Sequence, residues 1–227
     1  MRRQSDLDDI YGVKQIKSNP LDKDNDAAET GFRHSDAYHR YFRGYTEIRI
    51  PGEVGRFSIA RYYTQPWIVD AASEKDYLCK RVFVGMLLVL SWIAYIYGMC
   101  MDVGSNRWSV AAIPGLTAVI LLVVFSTVAT FYLFAPRKMT LWQHESTSNR
   151  LKKMALATGS CMSLTAVTKL VYMLVMQCRT AAELASFGIT AVAAISAICI
   201  YVLERRTVYT TVPNDTVLPE GEAHEIW

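Results

Sequence analysis

Four long apolar stretches alternate with polar segments along this chain of 227 residues. They are Val82–Met101, Val110–Ala135, Met154–Gln177 and Leu184–Leu203, with 20, 26, 24 and 20 residues. A helix needs about 20 apolar residues to cross a hydrocarbon core about 30 Å thick. Within the four stretches, Lys169 is the one Lys, Arg, Asp or Glu residue. The pattern therefore predicts four transmembrane helices.

The Lys and Arg residues near the ends of these stretches predict how the chain is oriented. Cytoplasmic loops carry the excess of basic residues in multi-pass membrane proteins. Ten basic residues flank the side that holds both termini and the middle loop: Lys75, Lys80, Arg81, Arg137, Lys138, Arg150, Lys152, Lys153, Arg205 and Arg206. Two, Arg107 and Arg179, lie on the other side. We predict a multi-pass protein of the cell membrane with both termini in the cytoplasm.

The connections between the stretches predict the fold class. Asp102–Arg107 and Cys178–Ala182 are so short that the helices they join must lie antiparallel. We expect an all-α integral membrane protein over residues 82–206, built as an up-down four-helix transmembrane bundle. The second helix is expected to start near Ile113, with Pro114 in its first turn, where the missing N–H is not needed. Little of the chain is left to form a domain outside the membrane.

The segments predicted to face the cytoplasm carry strand and loop patterns. Residues 1–30 are polar and predict a disordered tail. Within residues 31–81, alternation over Tyr45–Ile50 and Val54–Tyr63 on either side of Pro51-Gly52 predicts a β-hairpin, followed by a juxtamembrane helix. In residues 207–227, Thr207–Val212 is rich in strand formers and is expected to add a third strand to the hairpin, ahead of a loose tail.

The middle loop, Pro136–Lys153, is rich in basic residues. It carries five Lys or Arg residues against one Glu. We interpret it as a topology-determining loop, and basic residues of this kind also attract anionic lipid headgroups.

Lys169 is the main candidate for a functional group in the bundle. A Lys at the centre of a span costs roughly 2.5–3.5 kcal/mol on insertion scales. Thr165 and Tyr172 fall on the same helical face, and Glu183 lies where it can neutralise the charge. One interpretation is a structural Lys that snorkels or pairs internally. The other is a polar path or a docking charge for another subunit.

Small residues predict where the helices approach closely. Ala182, Ser186, Thr190 and Ala194 recur every four residues in the fourth stretch, as do Ala155, Gly159 and Ser163 in the third. Since small residues let helix backbones approach in lipid, we expect these two stripes to face each other. A homo-oligomer interface is the alternative interpretation.

The cysteines offer one covalent link. Cys100 and Cys178 both fall at the predicted outer helix ends. A disulfide between them would tie the first helix to the third, provided that their Cα atoms come within about 7 Å. Small apolar packing is the alternative, because buried cysteines commonly behave as small hydrophobic residues.

Composition and motifs narrow the function classes. With 52% hydrophobic residues, a net charge of +3 and no Cys-x-x-Cys, His-Glu-x-x-His or phosphate-binding Gly loop, the sequence predicts no cofactor, metal or nucleic-acid partner. Beyond the lipid bilayer, we expect a protein partner or a second copy. A non-enzymatic scaffold, accessory or regulatory subunit fits best. The alternatives are a small transporter or channel subunit that oligomerises around the polar third span, and a lipid-acting membrane enzyme.

Topology reporters test the predicted orientation. A reporter fused at Asn106 is expected to read as outside and one at Ser148 as inside, because the basic residues surround the latter. The opposite result at either position contradicts the orientation.

Overall fold

The computed structural model describes residues 41–51, 57–177, 180–218 and 222–225. The predicted tail over residues 1–30, the hairpin turn after Pro51, and Cys178 lie outside these ranges. The chain forms two compact units. One holds the described residues up to Val69, Lys138–Gln143, and those from Thr211 onwards; the other holds Asp70–Arg137 and His144–Thr210.

Four helices in the second unit are long and apolar enough to cross a membrane. Helix α1 spans Glu74–Cys100, α3 spans Ser109–Phe134, α5 spans Arg150–Val175 and α6 spans Ala181–Arg206. A single turn, α2 at Gly104–Arg107, lies between α1 and α3. The predicted mostly helical protein with four such helices is thus confirmed at the level of helix length and apolar character.

Local side chains set where the helices begin. The Ser73 hydroxyl accepts a hydrogen bond from the Asp76 amide at 3.2 Å, so α1 starts before its apolar stretch, as the juxtamembrane pattern predicts. Thr180 caps α6 in the same way. Helix α3 begins at Ser109, about one turn before the expected start near Ile113, which places Pro114 inside the helix.

The middle segment is more helical than predicted. After the short strand β4, Lys138–Met139, the chain forms a helical turn, α4 at Leu141–His144, and a π-helical turn, Glu145–Asn149, which leads directly into α5. Thr140 starts this helix through a capping box: its hydroxyl accepts from the Gln143 amide at 3.2 Å, and its amide donates to Gln143 Oε1 at 3.0 Å. The expectation of a loop through Lys153 was therefore wrong.

The four long helices form a ring in chain order. Helix α6 packs against α1 and α5, α3 packs against α5, and α1 meets α3. Long side chains bridge the seam between α1 and α3: Trp92 Nε1 donates to Ser126 Oγ at 2.6 Å, and Tyr95 Oη donates to the Gly115 carbonyl at 3.1 Å. The buried apolar core includes Leu88, Tyr95, Ala118, Leu122, Phe125, Met162, Ala193, Ala197 and Ile200.

Small residues lie where α5 and α6 approach. A Cβ atom added to Gly159 would stand 2.8 Å from Ile198 Cγ1 and 3.5 Å from Ala197 Cβ, so Gly159 of the α5 stripe packs against α6, at residues beyond the predicted α6 stripe. The α6 stripe meets α1 instead, because a Cβ atom on Gly98 would stand 2.9 Å from Thr190 Oγ1. Gly159 and Thr190 are thus packed within the chain, whereas Ala182 is exposed.

The first unit contains the predicted hairpin. Strands β1, Tyr45–Pro51, and β2, Phe57–Tyr63, pair antiparallel from Tyr45 opposite Tyr63 to Pro51 opposite Phe57. Glu47 faces Arg61 across the hairpin, and the two buried side chains form an ion pair at 2.7 Å. Such a directly opposed pair of opposite charges favours one register.

The third strand of the hairpin sheet is not the one predicted. Strand β6, Glu222–Glu225, pairs antiparallel with β1, giving the order β2-β1-β6. The expected strand forms as β5, Tyr209–Val212, but it belongs to a second sheet of order β4-β3-β5, in which β3 is Trp67–Asp70. Strand propensity located β5 correctly and gave no information on its neighbour.

Candidate functional site

Lys169 is almost completely buried, at 1% relative exposure, on α5. Its ammonium donates three hydrogen bonds: to the Gly98 carbonyl at 3.1 Å, Ser186 Oγ at 2.9 Å and Thr190 Oγ1 at 3.0 Å. We call these four residues the lysine junction. An ammonium has three donors, and all three are engaged within the chain.

The Gly98 carbonyl is the centre of this junction. Besides the Lys169 ammonium, it accepts from Ser186 Oγ at 3.0 Å and from Asn106 Nδ2 at 3.0 Å. Gly98 lies in the last turn of α1, whose final carbonyls have no partner within the helix. Lys169, Ser186 and Asn106 thus join α5, α6 and α2 at the C-terminal end of α1.

This helix end helps to balance the charge of Lys169. The C-terminal end of a helix carries a partial negative charge of about half an electron, and a cation within the last turn is favourable. Helix α1 has no basic residue of its own in that turn, so Lys169 of α5 supplies the cation. No ion pair joins Lys169 to a carboxylate among the described residues.

Glu183 forms no ion pair with Lys169 among the described residues, but its carboxylate interacts electrostatically with the ammonium, and it also caps a helical turn. Its carboxylate accepts from the Ser105 amide at 3.1 Å and from Ser105 Oγ at 2.5 Å, so it caps the single turn α2. Asn106 completes this end of the bundle, because its amide nitrogen also donates to the carbonyls of Met99 and Met101, at 3.1 and 2.8 Å. Side-chain caps therefore fix the end of α1 and the start of α2.

Thr165 and Tyr172 are not partners of Lys169 in hydrogen bonds. Thr165 is buried and lies 3.3 Å from the Tyr95 hydroxyl, while its own hydroxyl contacts the Cys161 carbonyl at 3.0 Å. Tyr172 packs at the short connection, with its ring 5.7 Å from that of Trp108. The four predicted site residues therefore do not form one site. Lys169 lies in the lysine junction, Thr165 contacts Tyr95, and Tyr172 and Glu183 both lie at the short connection.

Sequence reasoning missed a second polar cluster at the other end of the bundle. Glu204 of α6 is 1% exposed and accepts three hydroxyl donors: Tyr132 Oη at 2.7 Å, Ser148 Oγ at 2.5 Å, and Tyr209 Oη. We call these four residues the Glu204 cluster. It connects α3, the π-helical turn and the segment after α6, and the carboxylate has no cationic partner in an ion pair within the described residues.

The Glu204 cluster keeps its hydroxyl groups protonated. Burial, and next the Glu204 carboxylate, raise the pKa of Tyr209 above its usual value of about 10. The phenol therefore remains a donor throughout the neutral range. The available sequence signal was Glu204 next to Arg205 and Arg206 at the end of a span, but its partners are up to 72 residues away.

The remaining candidates are the predicted disulfide and a metal site. Cys100 is exposed at the end of α1, and Cys178 lies outside the described residues, so the predicted disulfide stays a prediction. Searching the described ranges finds no group of three or more His, Cys, Asp or Glu residues that could hold a metal ion.

No protein-family model, curated protein or solved structure matches the chain.

Two substitutions are expected to have unequal effects on stability. Lys169→Leu leaves Gly98 with two other donors, and Thr190 Oγ1 still bonds to the Ser186 carbonyl, so the free energy of unfolding should change by no more than about 1 kcal/mol. Glu204→Leu leaves the buried Tyr132 and Ser148 hydroxyls and the half-buried Tyr209 hydroxyl without their acceptor and should cost at least about 3 kcal/mol. Tryptophan fluorescence during denaturation in mild detergent measures both.

Ile120→Leu, on an exposed apolar face, is the matched control and should resemble the unchanged protein. A loss with Lys169→Leu as large as that with Glu204→Leu would show that the ammonium holds the helices together. If Lys169→Leu changes neither growth of the source cells nor complex formation, Lys169 has no function beyond packing.

Proposed function

We propose that this chain is a non-enzymatic membrane scaffold, accessory or regulatory subunit that engages a protein partner through its first unit. The observation that carries the proposal is a continuous strip of partly exposed aromatic side chains in that unit. The four-helix bundle anchors the strip in the membrane. Both termini lie in the cytoplasm of a cell membrane in this proposal, supported by the excess of basic residues on that side.

The aromatic strip follows the hairpin and the residues around it. Neighbouring ring centroids lie 4.6–5.5 Å apart, in tilted or edge-to-face arrangements. The strip consists of Trp142, Tyr41, Phe42, Tyr45, Tyr63 and Trp67 in contact order. Tyr63 is buried, whereas Tyr41 remains 45% exposed and the other four are half-buried.

One exposed cation extends this surface: Lys138 Nζ lies 4.7 Å from the centre of the Trp67 ring. The Arg61 guanidinium lies 4.6 Å from the centre of the Phe42 ring, but it is buried and paired with Glu47, so it holds the strip in place from inside. Trp, Tyr and Arg are the residues that most often dominate binding energy at protein interfaces. A strip of rigid rings with an exposed Lys138 at one end therefore fits a protein partner with apolar and acidic groups.

The polar groups of the bundle favour a supporting role over transport. Lys169 uses all three donors within the lysine junction, and Glu204 is enclosed by three hydroxyl groups. A transport path needs polar groups that can exchange partners with a solute or water. The transporter or channel alternative consequently has less support, and flux through liposomes containing a homo-oligomer would restore it.

Site-specific photocrosslinking tests the proposed partner surface. A photoreactive amino acid at position 41 is expected to give a discrete adduct with one foreign protein in stoichiometric yield, identifiable by mass spectrometry. The same group at position 120, on an apolar face of α3 where Ile120 is 66% exposed, is the matched control and should give lipid adducts. Only lipid or self-adducts at position 41 would contradict the proposal.

A further inference from the structure

Two half-buried arginines lie where α1 begins and α3 ends. Arg81 Nη1 donates to the Leu133 carbonyl at 2.8 Å, and its guanidinium carbon lies 4.2 Å from the centre of the Tyr77 ring. Arg137, just beyond α3, donates to the Ala72 carbonyl. Tyr77 joins the two segments, because its hydroxyl donates to the Ala135 carbonyl at 3.1 Å, two residues before Arg137. We call Arg81, Arg137 and Tyr77 the arginine pair site.

Neither guanidinium has a carboxylate partner within the described residues. The nearby Asp70 carboxylate is already occupied, one oxygen by Lys80 and the other by the Ala72 amide at 3.0 Å. Glu204 is enclosed by its hydroxyl donors. Neither of these two carboxylates is therefore an ion-pair partner of Arg81 or Arg137.

Each arginine also has an unused donor. The Nε atoms of Arg81 and Arg137 are buried and have no hydrogen-bond partner among the residues that the structure describes. A buried donor without an acceptor is destabilising, so both nitrogens favour an added acceptor. An anion bound at the arginines would pair with their positive charges and satisfy their unused donors together.

The guanidinium donors of this site favour a phosphate group as the anion. Guanidinium groups present a planar fork of N–H donors that matches phosphate oxygens bidentately. The site stands where apolar helix gives way to polar chain, since the apolar stretches begin at Val82 and end at Ala135. That position corresponds to the headgroup level when the helices span a bilayer.

We propose that the arginine pair site binds the phosphate group of an anionic phospholipid. The proposal rests on membrane insertion and not on the aromatic strip, so a failed crosslink at position 41 leaves it intact. Inorganic phosphate offers the same chemistry in soluble form and is therefore included in the test.

Native mass spectrometry of the detergent-solubilised full chain tests the site. With equal amounts of dioleoyl phosphatidic acid and dioleoyl phosphatidylcholine, the unchanged chain should retain phosphatidic acid about tenfold better, the effect of one charge-assisted hydrogen bond. Combined Arg81→Gln and Arg137→Gln should reduce the preference to within about twofold. Combined Arg205→Gln and Arg206→Gln, at exposed positions of the same end, should leave it unchanged.

The single variant Arg137→Gln is the folding control, because Arg137 makes one hydrogen bond among the described residues. In phosphatidylcholine, the unfolding midpoint of this variant should match that of the unchanged chain. A partial loss of preference in this folded variant supports the site. Equal retention of both lipids by the unchanged chain overturns the proposal, as does an equal loss in the Arg205 and Arg206 variant. Displacement of the lipid by millimolar inorganic phosphate would assign the site to a soluble ligand and overturn the lipid assignment.

Discussion

The structure depends on one requirement: polar groups between apolar helices must find their hydrogen-bond partners inside the chain. The Gly98 carbonyl shows how this is met, because three donors from different segments converge on it. The missing side chain of Gly98 allows α6 to approach closely enough for Ser186 and Thr190 to take part. One position in α1 thereby fixes the spacing of α1 and α6, the placement of α5 and the short connection after α1.

The two ends of α6 solve opposite electrostatic problems. Beside the first half of α6, Lys169 of α5 is a cation that forms no ion pair with a carboxylate among the described residues. Its ammonium lies at the negative end of α1. Near the end of α6, Glu204 is an anion in a helical turn that disfavours negative charge, and three hydroxyl donors stabilise it. The hydrogen-bond partners of both charges are neutral groups of the chain itself, which makes both clusters structural features of the bundle.

Much of the bundle could be predicted from the sequence because the constraint that shapes it is local. A run of apolar residues gives each long helix whatever its neighbours are, and small residues every four positions indicated the contact between α5 and α6. The partner of Lys169 could not be predicted by matching charges, since it is a backbone carbonyl at a helix end. A Thr-x-x-Gln pattern at Thr140 did carry the signal for the helix that was taken for a loop.

The sheets and the Glu204 cluster depend on contacts between distant residues. Thr207–Val212 has strong strand propensity but gave no information on which strand it would join, while Glu222–Glu225 joins the hairpin despite a weak strand sequence. Glu204, Tyr132, Ser148 and Tyr209 come together only once the helices have packed. Tertiary packing, which no local pattern encodes, determined both outcomes.

Thiol accessibility in lipid nanodiscs tests most directly the claim that the bundle is closed around the lysine junction. The five native cysteines are replaced, and single cysteines are placed at buried Ser186 and Thr165 and at exposed Arg107. A charged, membrane-impermeant methanethiosulfonate reagent is predicted to modify position 107 rapidly and to leave positions 186 and 165 unmodified over the same period. Modification at position 186 or 165 at a rate close to that at 107 would show that water reaches Lys169, and would contradict the closed bundle.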